Sequence, residues 1–224
     1  MSIPQTHEAS GFLLVDKLTG PTSHDIVDVV RRVLRLRKVG HAGTLDPFAS
    51  GLLIIAVGKA TKEISKFVGL DKTYEAAIRL GATSDTMDRT GVIEPMACGV
   101  VGEAAIDGIL ERFRGEQMQT PPMYSAKKVG GKKLYELARE GKEIERKPVK
   151  IVVHELELLS YDWPYLKIRT RVSSGTYIRA LAHDIGQALG CGAYLEELRR
   201  TAIGSYGVEA AAGPEDASED RLFH

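Results

Sequence analysis

The sequence has little cysteine, no excess of charge of either sign and no long apolar run, and each shortage excludes a class of protein. Its two cysteines, Cys98 and Cys191, show neither metal-binding spacing nor a disulfide framework, which fits the reducing cytoplasm. No apolar run approaches the roughly 20 residues that cross a membrane. The polar N-terminus has no apolar stretch of the kind that marks a secretory signal. We therefore expect a cytoplasmic globular protein without a membrane segment.

The charges balance, because 30 lysines and arginines face 30 aspartates and glutamates, so the formal net charge is zero. Any binding of nucleic acid therefore depends on local patches and not on a global basic field. No two of the six histidines stand at metal-ligand spacing. The sequence has no P-loop, no dinucleotide fingerprint and no nucleophile elbow. It therefore predicts no metal and no cofactor, and it leaves chemistry by side chains.

The hydrophobic pattern predicts strands and helices that do not alternate regularly, which favours an α+β fold with a mixed sheet. The predicted strands cover residues 11–15, 52–57, 73–80, 151–159 and 165–172, and one more short apolar piece follows Arg200. One predicted helix begins after Thr22 or Ser23, and a second covers 103–113. Ser174 is predicted to cap a third helix, and Gly190 to end it.

One carboxylate stands in an unusual place, within the segment GHAGTLDPFASGLLIIAVGKATK, Gly40 to Lys62. Asp46 lies in a Gly-rich turn just ahead of a strongly apolar strand. Pro47 biases its backbone away from the helical conformation. Aspartate is a common turn former, so position alone leaves two alternatives open. Asp46 is either an ordinary turn residue or a catalytic group.

Two groups of cations are candidates for contact with RNA. The first forms the end of the helix that starts near Ser23, where cations also suit the helix dipole: Arg31, Arg32, Arg35, Arg37 and Lys38. The second lies in the segment 117–150, whose prolines and glycines indicate an excursion from a compact core. Its cations and aromatics are Lys127, Lys128, Lys132, Lys133, Tyr124 and Tyr135. They form either a solvated face or an RNA-binding surface, and the mixture slightly favours RNA.

The segment around Asp46 resembles the signature segment of the TruB-type tRNA pseudouridine synthases. Four further segments resemble other motifs of that family, in the family's order, over about residues 11–204. They are LLVDKLTGPTSHDIV, KTYEAAIRLGATSDTMDRTG, TPPMYSAKKVGGKKLYELAREG and VSSGTYIRALAHDIGQALGCGAYLEELRRTAIG. The resemblance implies the pseudouridine synthase fold, a mixed and largely antiparallel sheet flanked by helices, with a thumb insertion at about 117–150. It also implies isomerisation of uridine to pseudouridine at position 55 in the T-loop of tRNA.

The resemblance assigns three catalytic residues. Asp46 is the nucleophile, Tyr74 stacks on the target uracil, and Arg179 pairs with the Asp46 carboxylate. These roles are physically consistent, because the uridine must be flipped out of its stack at a cost of a few kcal/mol. A guanidinium beside the carboxylate opposes the effect of desolvation and keeps it ionised. Taken alone, Tyr74 fits an ordinary strand tyrosine and Arg179 a surface arginine.

Four more residues follow as substrate-binding candidates. Leu198 packs against the flipped base, where a dry apolar wall protects the detached base from water. His41 holds the T-loop in its open conformation, and Gly43 and Thr44 belong to the same segment. Without the family resemblance, Leu198 is interpreted as a core residue and His41 as an ordinary loop histidine.

The predicted organisation is a catalytic domain over residues 1–210, followed by an acidic tail over 211–224 that has no core of its own. We expect the small C-terminal RNA-binding domain of many bacterial members to be absent. The expected partner is the T-stem-loop of tRNA, with no membrane, no required protein partner and a monomeric state. Two alternatives remain: an RNA-binding factor that folds tRNA, and a pseudouridine synthase for another RNA.

Overall fold

A computed structural model describes residues 9–125 and 144–224, together with the backbone of two short strands at 128–129 and 132–133. The chain divides into two compact units. The first contains Met1–Lys72 and Arg199–His224, and the second contains Thr73–Leu198. The lysine and tyrosine cluster predicted at 127–135 lies outside the residues whose side chains are described.

The bounds of the helices and strands, in chain order, are as follows. The strands are β1 (Gly11–Lys17), β2 (Val39–His41), β3 (Ser50–Val57), β4 (Lys72–Leu80), β5 (Ala82–Ser84), β6 (Ile93–Pro95), β7 (Gly115–Gln119), β8 (Lys128–Val129), β9 (Lys132–Lys133), β10 (Val149–Asp162), β11 (Tyr165–Val172), β12 (Ala193–Ile203) and β13 (Tyr206–Gly207). The α-helices are α1 (Ser23–Leu34), α2 (Ser65–Val68), α3 (Glu103–Arg112) and α4 (Ile178–Ala188).

The first helix begins where the sequence predicts it. Thr22 is the N-cap of α1, and its hydroxyl accepts a hydrogen bond from the Asp25 backbone N–H at 3.1 Å. The Asp25 carboxylate in turn accepts one from the Thr22 N–H at 2.7 Å. This capping box satisfies amide groups that otherwise have no partner within the helix. It fixes the start of α1, which carries Ser23 into the interior of the first unit.

The sheet of the first unit is built around β3, the most apolar strand. β1 and β2 both pair with it in antiparallel orientation, and Arg199 and Arg200 of β12 pair with it in parallel. The parallel pairing places Arg200 opposite Gly51, whose φ is +106°. A Cβ on Gly51 would lie 2.2 Å from the Arg200 carbonyl oxygen, so this close approach of two backbones requires glycine.

A hydrophobic cluster on one side of this sheet gathers side chains from both ends of the chain. Its large buried members are Phe12, Leu52, Ile54, Phe67 and Ile203. Phe223 packs against this cluster, and its backbone exchanges hydrogen bonds with Phe12 at 2.8 and 2.9 Å. Burial of each large side chain contributes about 1.5–3 kcal/mol. The acidic segment after 210 is thus docked on β1 through backbone hydrogen bonds of Ala212 and Phe223.

The second unit holds a sheet in the order β12–β4–β11–β10–β7, where β12 contributes residues up to Leu198 and β4 residues from Thr73. β10 pairs antiparallel with both β11 and β7, and α3 packs on β10. Parallel and antiparallel strand pairs thus occur together with helices, which confirms the predicted α+β fold class.

Two details of the sequence prediction are wrong. Ser174 does not cap the third helix, because α4 begins at Ile178 with Tyr177 as its N-cap. Gly175 has a φ of +85°, which turns the chain before the helix can start. The sequence predicts only a short apolar piece after Arg200, whereas the strand β12 already begins at Ala193. Its glutamates and arginines hide the alternation that is typical of a strand.

Candidate active site

The loop between β2 and β3 presents Asp46 from a tight turn. The Ala49 N–H donates to the Asp46 carbonyl at 3.1 Å, which closes a β-turn with Pro47 in its second position. Proline favours that position because its ring fixes φ. The Asp46 side chain is half-buried. The turn therefore holds the backbone of Asp46 in one conformation.

Ser23, at the start of α1, holds the residue before Asp46. Its hydroxyl accepts from the Leu45 N–H at 2.9 Å and donates to the Leu45 carbonyl at 3.1 Å. Ser23 is buried, and these two bonds satisfy groups that would be costly to leave without partners. The capped helix thus sets the position of the loop.

Lys17, at the end of β1, is a fully buried cation beneath the turn. Its ammonium donates to the carbonyls of Ala49 at 2.6 Å, Leu18 at 3.0 Å and Pro47 at 3.3 Å. Burial lowers the pKa of Lys17 to about 8, against the opposing attraction of the Asp46 charge. The attraction is mutual and also favours the ionised carboxylate.

The pKa of Lys17 has a consequence for stability. Between about pH 8 and the ordinary lysine value, the unfolded chain binds a proton that the folded chain has released, so this residue's contribution to stability grows as the pH rises. We expect the difference in unfolding free energy between wild type and Lys17→Met to shift in favour of wild type from about pH 7 to about pH 9.5. Denaturant titrations across this range would measure it.

A matched comparison uses Lys59→Met, which removes an exposed lysine of the same unit. A Lys17→Met difference that does not change with pH, or that shifts against wild type, would contradict the assignment of a depressed pKa.

Arg200 is a second buried cation that contacts this loop. Its Nε donates to the Leu52 carbonyl at 2.8 Å, and its two terminal nitrogens lie 3.4 Å from the carbonyl oxygens of Gly43 and Thr44. The side chain is 1% exposed. The backbone around Asp46 is therefore held by two buried cations, Lys17 and Arg200.

His41 is the last residue of β2 and stands at the beginning of the loop that carries Asp46. Burial lowers the pKa of His41. The imidazole is therefore neutral at neutral pH. A neutral, half-buried ring is suited to packing against an aromatic base.

The remaining predicted site residues lie in the second unit. Tyr74 on β4 and Leu198 on β12 are each 8% exposed. Arg179, in the first turn of α4, donates to the Thr86 carbonyl at 2.9 Å and to the Tyr124 carbonyl at 2.7 Å. Its guanidinium also forms an ion pair with Asp88 at 3.2 Å. The predicted pairing of Arg179 with Asp46 stays a prediction.

Asp88 is a buried acidic residue that the sequence analysis missed. One of its carboxylate oxygens faces Arg179, and the other accepts hydrogen bonds from the Thr86 hydroxyl and the Thr90 N–H, each at 2.9 Å. An aspartate that bonds to the amide two residues later is an ordinary turn signal, so the polar segment around it looks like a surface turn. Its burial opposite Arg179 makes it part of the candidate site.

The structure thus places the seven predicted residues in two groups. The first unit carries the group on the β2–β3 segment: His41, Gly43, Thr44 and Asp46. The second unit carries Tyr74, Arg179 and Leu198. Over residues 9–125 and 144–224, no three histidine, cysteine or acidic side chains are grouped to hold a metal ion. In that same part of the chain, no helix has the length and hydrophobicity to cross a membrane.

Two domains of one protein family together match most of the chain. The N-terminal domain of the TruB family pseudouridylate synthases matches residues 31–178, and the tRNA pseudouridylate synthase B C-terminal domain matches 179–217. The tRNA pseudouridine synthase B of Azoarcus sp. (strain BH72) is 51% identical, over 90% of this chain and 67% of the relative. That of Opitutus terrae is 48% identical, over 89% of this chain and 83% of the relative.

Solved structures show the same fold. A chain of a Cbf5-Nop10-Gar1 complex superposes with a TM-score of 0.74 at 32% identity, over 95% of this chain and 54% of that one. A chain of the archaeal box H/ACA sRNP Nop10-Cbf5 complex gives 0.71 at 31% identity, over 96% and 55%. The present chain thus spans about half the length of these structures. The chain belongs to the TruB family of pseudouridylate synthases, which are isomerases.

Proposed function

We propose that this enzyme isomerises uridine to pseudouridine in tRNA, at position 55 of the T-loop, with Asp46 as nucleophile on a flipped-out base. The observation that carries the proposal is the half-buried Asp46 carboxylate, presented by a rigid turn within electrostatic reach of the buried Lys17. The substrate is supported by relatives named tRNA pseudouridine synthase B.

The reaction is an isomerisation and needs no second substrate. The bond between N1 of the base and C1′ of the ribose breaks, the base turns, and C5 forms a bond with C1′. The hydrogen on C5 leaves as a proton, and N1 gains one. A carboxylate nucleophile divides such a reaction into two easier steps. Asp46 has to be ionised for this, and the nearby Lys17 ammonium favours that state.

The other residues have supporting roles in the proposal. Tyr74 stacks on the uracil, Leu198 excludes water from the detached base, and Arg179 supplies the cation that keeps the nucleophile ionised. Asp88 holds the Arg179 guanidinium through their ion pair of 3.2 Å. An aromatic ring replaces part of the stacking that the flipped base loses.

The beginning of the Asp46 loop is assigned to RNA binding. The His41 ring is neutral. Gly43 has a φ of +93° and carries no Cβ. Thr44 is exposed and adds a hydroxyl. RNA loops are recognised mainly through splayed bases and backbone shape, which such a surface suits.

Exposed cations near the end of α1 are proposed to contact phosphates. They are Arg32, Arg35, Arg37 and Lys38. Arg31 is not among them, because it pairs with Asp28 and donates to the Val39 carbonyl of the same unit. Phosphate contacts release counterions, so the affinity for tRNA should fall steeply with salt.

The proposal is tested with a tRNA transcript that carries tritium at C5 of its uracils. We expect the wild-type enzyme, without added metal or nucleotide, to release tritium to solvent and to saturate at about one per tRNA, since one uridine loses its C5 hydrogen. The matched control is a transcript with cytidine at position 55, which should release none. Tight binding of the uridine transcript without release would contradict the proposal.

A further inference from the structure

We propose that Arg200 is a positioning residue that locks the Asp46 loop, residues 42–49, onto strand β3. This inference rests on the proposed role of Asp46 as nucleophile. Arg200 itself does not touch the substrate in this proposal. It acts by fixing the backbone that presents the carboxylate.

The burial of Arg200 is the first observation. Its side chain is 1% exposed, and its hydrogen bonds go to backbone carbonyls. Within the described part of the chain, no carboxylate lies within salt-bridge distance of it. Burial of a charge is costly, and a charge that is not paired with an opposite one adds little to stability. Such a departure from the usual pattern is typical of functional sites.

The geometry of the guanidinium is the second observation. Nε is anchored at 2.8 Å to the carbonyl of Leu52, a fully buried residue of β3. The two terminal nitrogens point at the consecutive carbonyls of Gly43 and Thr44. Because the guanidinium is planar and rigid, its anchor on β3 sets where these two loop carbonyls lie. Asp46 follows two residues after Thr44 in the chain.

The backbone of Arg200 fixes the other end of the loop. It lies opposite Gly51 in the parallel pairing of β12 with β3, so close that only a residue without a Cβ fits there. Arg200 therefore contacts the segment before Asp46 through its side chain and the segment after it through its backbone. A loop held at both ends has few conformations to lose when RNA binds.

The test compares Arg200→Lys and Arg200→Met with the control Arg199→Met. Arg199 is the adjacent residue, but its side chain is partly exposed and pairs with Asp16 at 2.7 Å. We expect kcat to fall about 100-fold in Arg200→Met with KM for tRNA within about threefold, since a shift of the order of 1 Å costs that much. Arg200→Lys keeps the positive charge but lacks the planar guanidinium. Its kcat should therefore lie between those of wild type and Arg200→Met. Arg199→Met should stay within about twofold of wild type.

A second readout measures the loop directly. Hydrogen–deuterium exchange in a peptide covering residues 42–49 should be faster in both Arg200 variants and unchanged in Arg199→Met. Arg200→Lys keeps the test valid if Arg200→Met fails to fold. Unchanged kcat per folded molecule, or a loss confined to KM, would overturn the inference. If wild type releases no tritium, the proposed function fails, and unchanged exchange in the loop would then overturn the positioning role separately.

Discussion

Asp46→Asn is expected to abolish tritium release, with a loss of more than about 10³-fold, because an amide is not a nucleophile and loss of a covalent catalyst has effects of this size or larger. Asparagine has nearly the shape of aspartate and is favoured at the first position of a type I turn, so the loop should keep its structure. The measurement is single-turnover release from the tritiated transcript.

The affinity of Asp46→Asn for tRNA distinguishes a catalytic role of the protein from a role as an RNA-binding factor that folds tRNA. We expect its Kd to stay within about threefold of wild type, since the carboxylate is one small part of a large RNA interface. Asp28→Asn is the control, because Asp28 is exposed and pairs at the surface with Arg31. Tritium release that survives in Asp46→Asn would remove Asp46 from the chemistry. A full tRNA-folding effect in the inactive variant would show that folding is a separate activity.

Asp88→Ala should produce a large loss of stability. It takes the ion-pair partner from Arg179, whose side chain is 5% exposed, and breaking a buried pair from one side costs about 3–5 kcal/mol. We expect a fall of this size in the free energy of unfolding from denaturant titration. The kcat should fall as well, since Arg179 is proposed to act on the nucleophile.

Asp88→Asn and Glu75→Gln complete this experiment. Asp88→Asn keeps the shape and one acceptor while removing the charge, so it should retain more stability than Asp88→Ala but lose activity. Glu75 pairs with Arg169 at 2.9 Å in the same unit, but both side chains are exposed, so Glu75→Gln should cost no more than about 1 kcal/mol. An Asp88→Ala as mild as Glu75→Gln would contradict a structural role for the buried pair.

The elements of this fold could be predicted where local chemistry and packing agree. Thr22 followed by Asp25 marks the start of α1, and both features are readable without the fold. The apolar run of β3 allows little besides a buried strand. The body of α4 follows from its apolar stripe, but the predicted start is wrong because the conformation of Gly175 depends on the surrounding chain.

The candidate site was only partly predictable, for a reason that Lys17, Arg200 and Asp88 share. Lysine, arginine and aspartate are almost always exposed unless paired, so a sequence pattern assigns them to the surface. Their burial arises from contacts over long separations, such as Arg200 with Gly43. Asp46 could be named as a candidate because its motif is distinctive and its turn is local, whereas the residues that hold its loop are distributed along the chain.

The pairing of the first and last segments in one unit bears on how the enzyme is made. Asp46 is synthesised early, but Arg200 and the strand that carries it emerge from the ribosome some 150 residues later, and Phe223 later still. At about 5–20 residues per second, this interval is on the order of ten seconds or more. During that time β3 lacks its parallel neighbour and exposes apolar surface. Nascent chains should therefore depend on protection by chaperones until Arg200 and Phe223 have emerged.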